Sequence, residues 1–326
     1  MSFSSNRRSL VLLAAGLPAL AGLGRAQAQQ QQRVIRMVVP FGTGAVQDTV
    51  ARAFNSELGA ALNASVIVEN RAGAGGTVGA SLVAKAPADG NTLILAAASH
   101  HIAGHLYSKL PYDPLKDFVG VAEIGSAGYV VVASSELKVA NTAEFIREVK
   151  AHPGKYNYAS AGNGSATHLA MASFLAKAGL QMTHIPMKST GEAVNELLAG
   201  RVQAVTSSSI GVIGLQSDVR IKPLASTGKV RSPFLPNLPT AHESGLPGYE
   251  FDSWIGVLAP AGTPPAEVEK LHAAIAKVIA EPAMQERLTR LGIEPRSSST
   301  AAFQKLLRAD WDTMGAVVKA SGAKID

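Results

Sequence analysis

Two short stretches of this chain place glycines and small hydroxylated residues between an apolar run and a helical pattern, an arrangement suited to holding an anion. The first is Pro40-Phe41-Gly42-Thr43-Gly44-Ala45, continuing through Val46 to Asp48. Two glycines let backbone approach a ligand closely and turn free N–H groups toward it. The helix that follows adds the positive end of its dipole, so such a turn can seat an anion without a cationic side chain. The same turn could equally serve packing alone. The second stretch is Ser160-Ala161-Gly162-Asn163-Gly164-Ser165, continuing through Thr167 to His168. It lacks the Gly-Lys-Ser/Thr ending of a P-loop. It is not a nucleophile elbow either, because Tyr158 stands where the first Gly of G-x-S-x-G belongs. Ser165 is placed to cap a helix, and Ser160, Ser165 and Thr167 offer hydroxyls. With one such turn in each half of the chain, the pattern predicts an anion gripped across a cleft.

A further glycine turn runs from Gly73 through Gly75 and Gly76 to Gly79, spaced like a dinucleotide fingerprint. A dinucleotide site needs an acid at the end of the next strand to hold the ribose. Here that strand ends Ala96-Ala97-Ala98-Ser99-His100, so a tight helix start is the better reading and no cofactor is expected. His100, His101 and His105 invite a metal, but no nearby acid completes a set of three ligands, and none is predicted. His168 suits a backbone partner as well as a ligand. A triad can be assembled on paper from Ser160 or Ser165, His168 and Asp48; an exported serine hydrolase is therefore the alternative reading. Triads are decided by geometry, and without a nucleophile elbow the expectation is a protein that is not an enzyme. The chain has no cysteine, which excludes disulfides, Cys-based metal sites and a Cys nucleophile.

The elements around these turns alternate. A β-branched run predicts a strand over 34–39, and Val50, Phe54 and Leu58 at i, i+4 spacing predict a helix over 46–62. Strands follow over 66–69 and 92–95, with a helix over 77–86 between them. The pattern resumes with strands at 130–132, 155–159, 183–185 and 202–205, and helices at 142–151, 165–178 and 192–199. The carboxyl end is helical from Pro264-Pro265 onward. Such alternation means βαβ units, each lobe a mostly parallel sheet flanked by helices. Two α/β lobes are expected: residues 29–129 plus 254–326, and residues 130–253. Trp254 and Trp311 read as core or hinge residues.

Asn6-Arg7-Arg8-Ser9, the uncharged run from Leu10 to Leu23 and the small residues ending at Ala28 have the order of a cleaved secretory signal, residues 1–28. Its Arg-Arg pair fits either of two export routes. Its removal takes three arginines and no acid, reducing the net charge of +6 by three. So small an excess does not argue for nucleic acid. With 47% hydrophobic and 17% charged residues, the 326-residue chain is globular, and a periplasmic monomer is expected.

The chain resembles the Bug or TctC-like family, the substrate-binding proteins of tripartite tricarboxylate transporters. The likeness runs through PFGTGAVQDTVAR (40–52), VENRAGAGGTVGA (68–80), LPYDPLKDF (110–118), YASAGNGSATHLA (158–170), THIPMK (183–188), RSPFLPNLPT with ESGLPGYE (231–250) and APAGTP (259–264). It implies a two-lobe periplasmic binding protein of type II-like fold, closing about crossing strands near 129–132 and 253–257. It also implies a small carboxylate ligand, and as partners the membrane permease subunits of a tripartite transporter or a sensor protein. Carried over residue by residue, the ligand site is Phe41, Gly42, Thr43, Gly44, Ala45, Val46 and Asp48 on one lobe, with Ser160, Gly162, Asn163, Gly164, Ser165 and His168 on the other. Ser99 and His100, ending a strand, face the same place. The chain departs from the family at Thr43 and Ala45, where the family usually has Pro and Gly, at Met187 and Ser189, where it has Tyr and Gly, and at Thr206-Ser207-Ser208-Ser209, where it has an Asp. That hydroxyl-rich, acid-poor wall predicts an anion carrying an additional polar group.

Overall fold

The structure, a computed structural model, describes residues 32–187 and 189–321; the expected export signal lies outside them. Strand β1 (Arg33–Val39) leads into α1 (Val46–Leu62), then β2 (Ala64–Asn70), α2 (Thr77–Ala84), β3 (Thr92–Ala97) and α3 (Ser99–Leu106). Both faces of β3 and of the end of β1, Met37 to Val39, are buried. Met37, Val39, Leu93 and Leu95 pack under α1, while Val38, Ile94 and Ala96 meet the opposite layer, hence the continuous apolar runs.

Strand β4 (Phe118–Ser134) is far longer than the segment predicted at 130–132. Gly120, Gly125 and Gly128 and two register shifts against its partner hide its alternation in the sequence. It joins the lobes. Phe118 to Gly128 lie antiparallel to β9 (Asp252–Pro260), and Tyr129 to Ala133 lie antiparallel to β7 (Ala204–Ser208).

The second lobe supplies α4 (Thr142–Ala151), β5 (Asn157–Ser160), α5 (Ala166–Ala178), β6 (Thr183–Pro186), α6 (Thr190–Leu198), α7 (Ser209–Ile213) and β8 (Ile221–Ser226). The chain ends with α8 (Pro265–Ala280), α9 (Pro282–Arg290), β10 (Glu294–Pro295) and α10 (Thr300–Ser321). The strand order is β2-β1-β3-β9-β4-β7-β5-β6, with β8 and β10 also paired to β4. The pairs β1–β2, β1–β3, β5–β6 and β5–β7 are parallel; every pair made by β4 or β9 is antiparallel. The sheets are therefore mixed, parallel outside and antiparallel where the lobes join.

Two elements do not respect the expected lobe boundaries. On α10, Phe303 and Leu307 pack on the first lobe beside Trp254, whereas Met314 and Val318 join the core of the second with Phe145, Leu169 and Phe174. Ile102 and Leu106 of α3 enter that same second core. Residues 254–326 thus do not belong to the first lobe alone: a 22-residue helix is long enough to reach both.

Candidate functional site

A cavity of about 660 Å³ opens where the lobes meet. The first lobe lines it with Phe41, Ala45, Val46, Gln47 and Gly75, and with Ser99, Ile102, Ala103 and Leu106 of α3. The second contributes Ala161, Asn163, Gly164, Ser165, Ala166 and Thr167 at the start of α5, and Thr190 at the start of α6. Ala127, Tyr129, Ser208, Ser253 and Ile255, on or beside the crossing strands, complete it with Tyr107 and Ala97. Of the residues singled out in the sequence, the structure brings together Phe41, Ala45, Val46, Ser99, Asn163, Gly164 and Ser165.

The two turns hold their donors in different ways. Helix α1 begins after Ala45, which has no side chain to cap it, and the amides of Val46 and Gln47 make no hydrogen bond to a described residue. Helix α5 begins after Ser165, whose Oγ accepts the His168 amide at 3.2 Å; the amides of Ala166 and Thr167 remain without a described partner. Each lobe therefore presents first-turn N–H groups at the cavity wall, where the helix dipole favours negative charge. Among the described residues no Asp, Glu, Lys, Arg or His lines the cavity.

Several predicted contacts stand behind the wall instead. Gly42, Thr43 and Gly44 are exposed and do not line the cavity. Asp48 is buried: its carboxylate accepts the Gly44 amide at 2.9 Å, Asn70 Nδ2 at 2.9 Å and Arg52 Nε at 2.9 Å. Burial would push this carboxyl up, but the Gly44 and Asn70 bonds and the Arg52 guanidinium outweigh it and hold it below the usual carboxylate range. The Gly162 amide donates to Ser160 Oγ at 3.1 Å and the Gly164 amide to His168 Nδ1 at 3.1 Å, so neither is free for a ligand. Ser160 is fully buried, and its Oγ meets His184 Nε2 at 2.7 Å. The proposed pair of Ser160 with His168 is not formed, and Asp48 is engaged with Arg52, so the paper triad has no counterpart.

Ser99 and His100 do not end a strand; they open α3. Ser99 reaches the cavity, whereas His100 is buried against Tyr112 and Phe118, with Nε2 donating to the Pro114 carbonyl at 3.1 Å. Burial and the neighbouring His101 push its pKa down to about 3, despite the Pro114 bond. His101 Nδ1 lies 2.6 Å from Asp310 Oδ2, and His105 Nε2 donates to the Trp311 carbonyl at 2.9 Å. These histidines hold α3 to α10. Among the described residues no three His, Cys, Asp or Glu side chains form a metal-binding group.

Gly75, the apolar α3 residues Ile102, Ala103 and Leu106, Thr190 and Ser253 are wall residues that the sequence did not single out as ligand contacts. Gly75 belongs to the turn read as a tight helix start. The α3 face was masked by its histidines. Of the hydroxyl run, only Ser208 lines the cavity. Thr206 Oγ1 donates to the Thr167 carbonyl at 2.5 Å and Ser209 Oγ to the Gly128 carbonyl at 3.2 Å, so most of the predicted hydroxyl wall is spent on structure.

Residues 50–323 match the model of the tripartite tricarboxylate transporter family receptor. A UPF0065 protein from the tcbD-tcbE intergenic region of Pseudomonas sp. (strain P51) is 36% identical over 283 residues, 85% of this chain and 83% of the relative. R. palustris Rpa4515 with adipate superimposes with a TM-score of 0.78 at 32% identity, covering 90% of this chain and 99% of that one. MatC from Rhodopseudomonas palustris with bound malate gives 0.73 at 32% identity, covering 88% and 99%. Among the described residues no helix is long and apolar enough to cross a membrane. The chain therefore belongs to the tripartite tricarboxylate transporter receptor family, whose members are solute-binding proteins and not enzymes.

Proposed function

We propose that this chain works in the periplasm, closing its two lobes over a carboxylate and presenting it to the membrane subunits of a tripartite transporter or to a sensor protein. The observation that carries the reading is the pair of helix starts at one cavity: Val46 and Gln47 from one lobe, Ala166 and Thr167 from the other, with amides lacking partners among the described residues. A carboxylate there accepts charge-assisted bonds from backbone alone. Because contacts come from both lobes, ligand stabilises the closed arrangement and shifts the population toward it. Bound adipate and malate in two relatives support a carboxylate.

The test is isothermal titration against mono-, di- and tricarboxylates, each paired with its methyl ester. The expected result is saturable one-to-one binding of at least one acid and none of its fully esterified form. Equal binding of acid and ester would remove the carboxylate from the account.

A further inference from the structure

The rest of the ligand is legible in the cavity wall, given the carboxylate reading above. Ser99, Ile102, Ala103 and Leu106 recur at the i, i+3, i+4, i+7 positions of one helical face, and all four line the cavity. The other side of α3 is tied to α10 through His101 and His105, which fixes the apolar face toward the cleft. Ile255 and Ala127 extend that apolar wall.

Several polar side chains around the cavity already have partners. Ser165 Oγ accepts the His168 amide, Thr167 Oγ1 accepts the Ala161 amide at 3.0 Å, and Ser208 Oγ accepts the Gly211 amide at 3.3 Å. Among the described residues no ionised side chain lines the cavity to meet a charged substituent. About 660 Å³ is also the size that envelops a drug-sized molecule, far more than two carboxylates need. A hydroxyl or ammonium on the ligand body would lose water against Ile102, Ala103 and Leu106, whose side chains offer it no hydrogen bond, whereas a methylene there gains from burial.

We infer that the cavity selects a carboxylate with an unsubstituted hydrocarbon body, of roughly six carbons or more, over short hydroxylated acids. The experiment is calorimetry on the wild-type protein with succinate, glutarate, adipate, pimelate and suberate, beside malate and citrate. Affinity is expected to rise about fourfold per added methylene until the cavity is filled. The binding heat capacity should become more negative along the same series. Malate should bind about tenfold more weakly than succinate, because its hydroxyl is desolvated against the apolar face of Ile102, Ala103 and Leu106.

Affinity that is flat with chain length, or malate or citrate binding as tightly as adipate, overturns the inference while leaving the carboxylate reading intact. Silence from every acid overturns both. Ala103→Ser adds one hydroxyl to the α3 face with little change in volume; with unchanged melting, it should narrow the preference for adipate over malate. An unchanged preference would show that α3 is not the surface that selects.

Discussion

The Gly164 amide donates to His168 Nδ1 at 3.1 Å, so a histidine four residues downstream holds the turn that opens α5. The same ring stacks on His184 with centroids 3.9 Å apart, and His184 Nε2 meets Ser160 Oγ at 2.7 Å. Replacing His168 with Leu keeps the bulk and removes the acceptor. The freed Gly164 amide then competes for other partners and the turn loosens. Ligand affinity is expected to fall about tenfold, the loss of one well-placed hydrogen bond from a partly buried donor. Titration of the variant checks this; unaltered affinity would mean that the turn is fixed by Ser165 and Thr167 alone.

The same pair predicts an acid sensitivity. Burial, and then the neighbouring His184, push the His168 pKa from 6.5 down to about 4; burial also lowers that of His184. Between those values the unfolded chain takes up a proton that native His168 refuses. The stability it contributes is therefore fully present above about pH 6.5 and is lost as the pH falls through about 4. Urea unfolding at pH 7, 6 and 5 should show a declining midpoint, with a shallower decline in His168→Leu. A midpoint constant across that range would contradict the assignment.

Asp48 anchors the opposite turn through three accepted bonds, from Gly44, Asn70 and Arg52. Asp48→Ala leaves these donors without their acceptor. Arg52 is half exposed and can turn to water, so the cost falls mainly on Gly44 and Asn70. A loss of about 1–3 kcal/mol is expected in denaturant unfolding, together with weaker ligand binding. Weaker binding at unchanged stability would place Asp48 in contact with the ligand instead.

Gly256 on β9 allows α10 to approach the sheet: a Cβ there would run into Phe303 Cζ and lie 2.9 Å from the Ala122 carbonyl oxygen. One neighbour is a packed ring and the other is backbone, so neither yields easily. Gly256→Ala is expected to destabilise by about 1–3 kcal/mol through overpacking. Gly154, where a Cβ would meet nothing within 4 Å but φ is positive, offers a comparison of pure backbone strain, at about 1–2 kcal/mol.

Asp310 Oδ2 accepts Trp254 Nε1 at 2.9 Å as well as facing His101 Nδ1. Trp254 sits between Ser253 and Ile255, both in the cavity wall, and the sequence has only two tryptophans. Ligand binding should therefore change tryptophan emission, and Trp254→Phe should remove most of that change. Asp310→Ala should shift the emission of the unliganded protein and weaken binding through α3. A ligand-induced signal that survives Trp254→Phe would assign it to Trp311.

Local chemistry and its order along the chain were legible in the residues alone. The apolar spacing of Val50, Phe54 and Leu58 marks α1, observed as Val46–Leu62, and the glycine turns mark where the cleft walls begin. The ordered segments from PFGTGAVQDTVAR to APAGTP carry the family. Three features were not legible. The length of β4 was hidden by glycines and register shifts that only its pairing with β9 explains. The apolar face of α3 was hidden because its meaning depends on α10 lying across the other side. Which turn amides stay free depended on Asp48, Ser160 and His168 folding back on their own loops. Strand pairing, helix orientation and amide occupancy are all contacts between groups whose approach is set by packing in three dimensions, and a linear order of residue types carries no such distances.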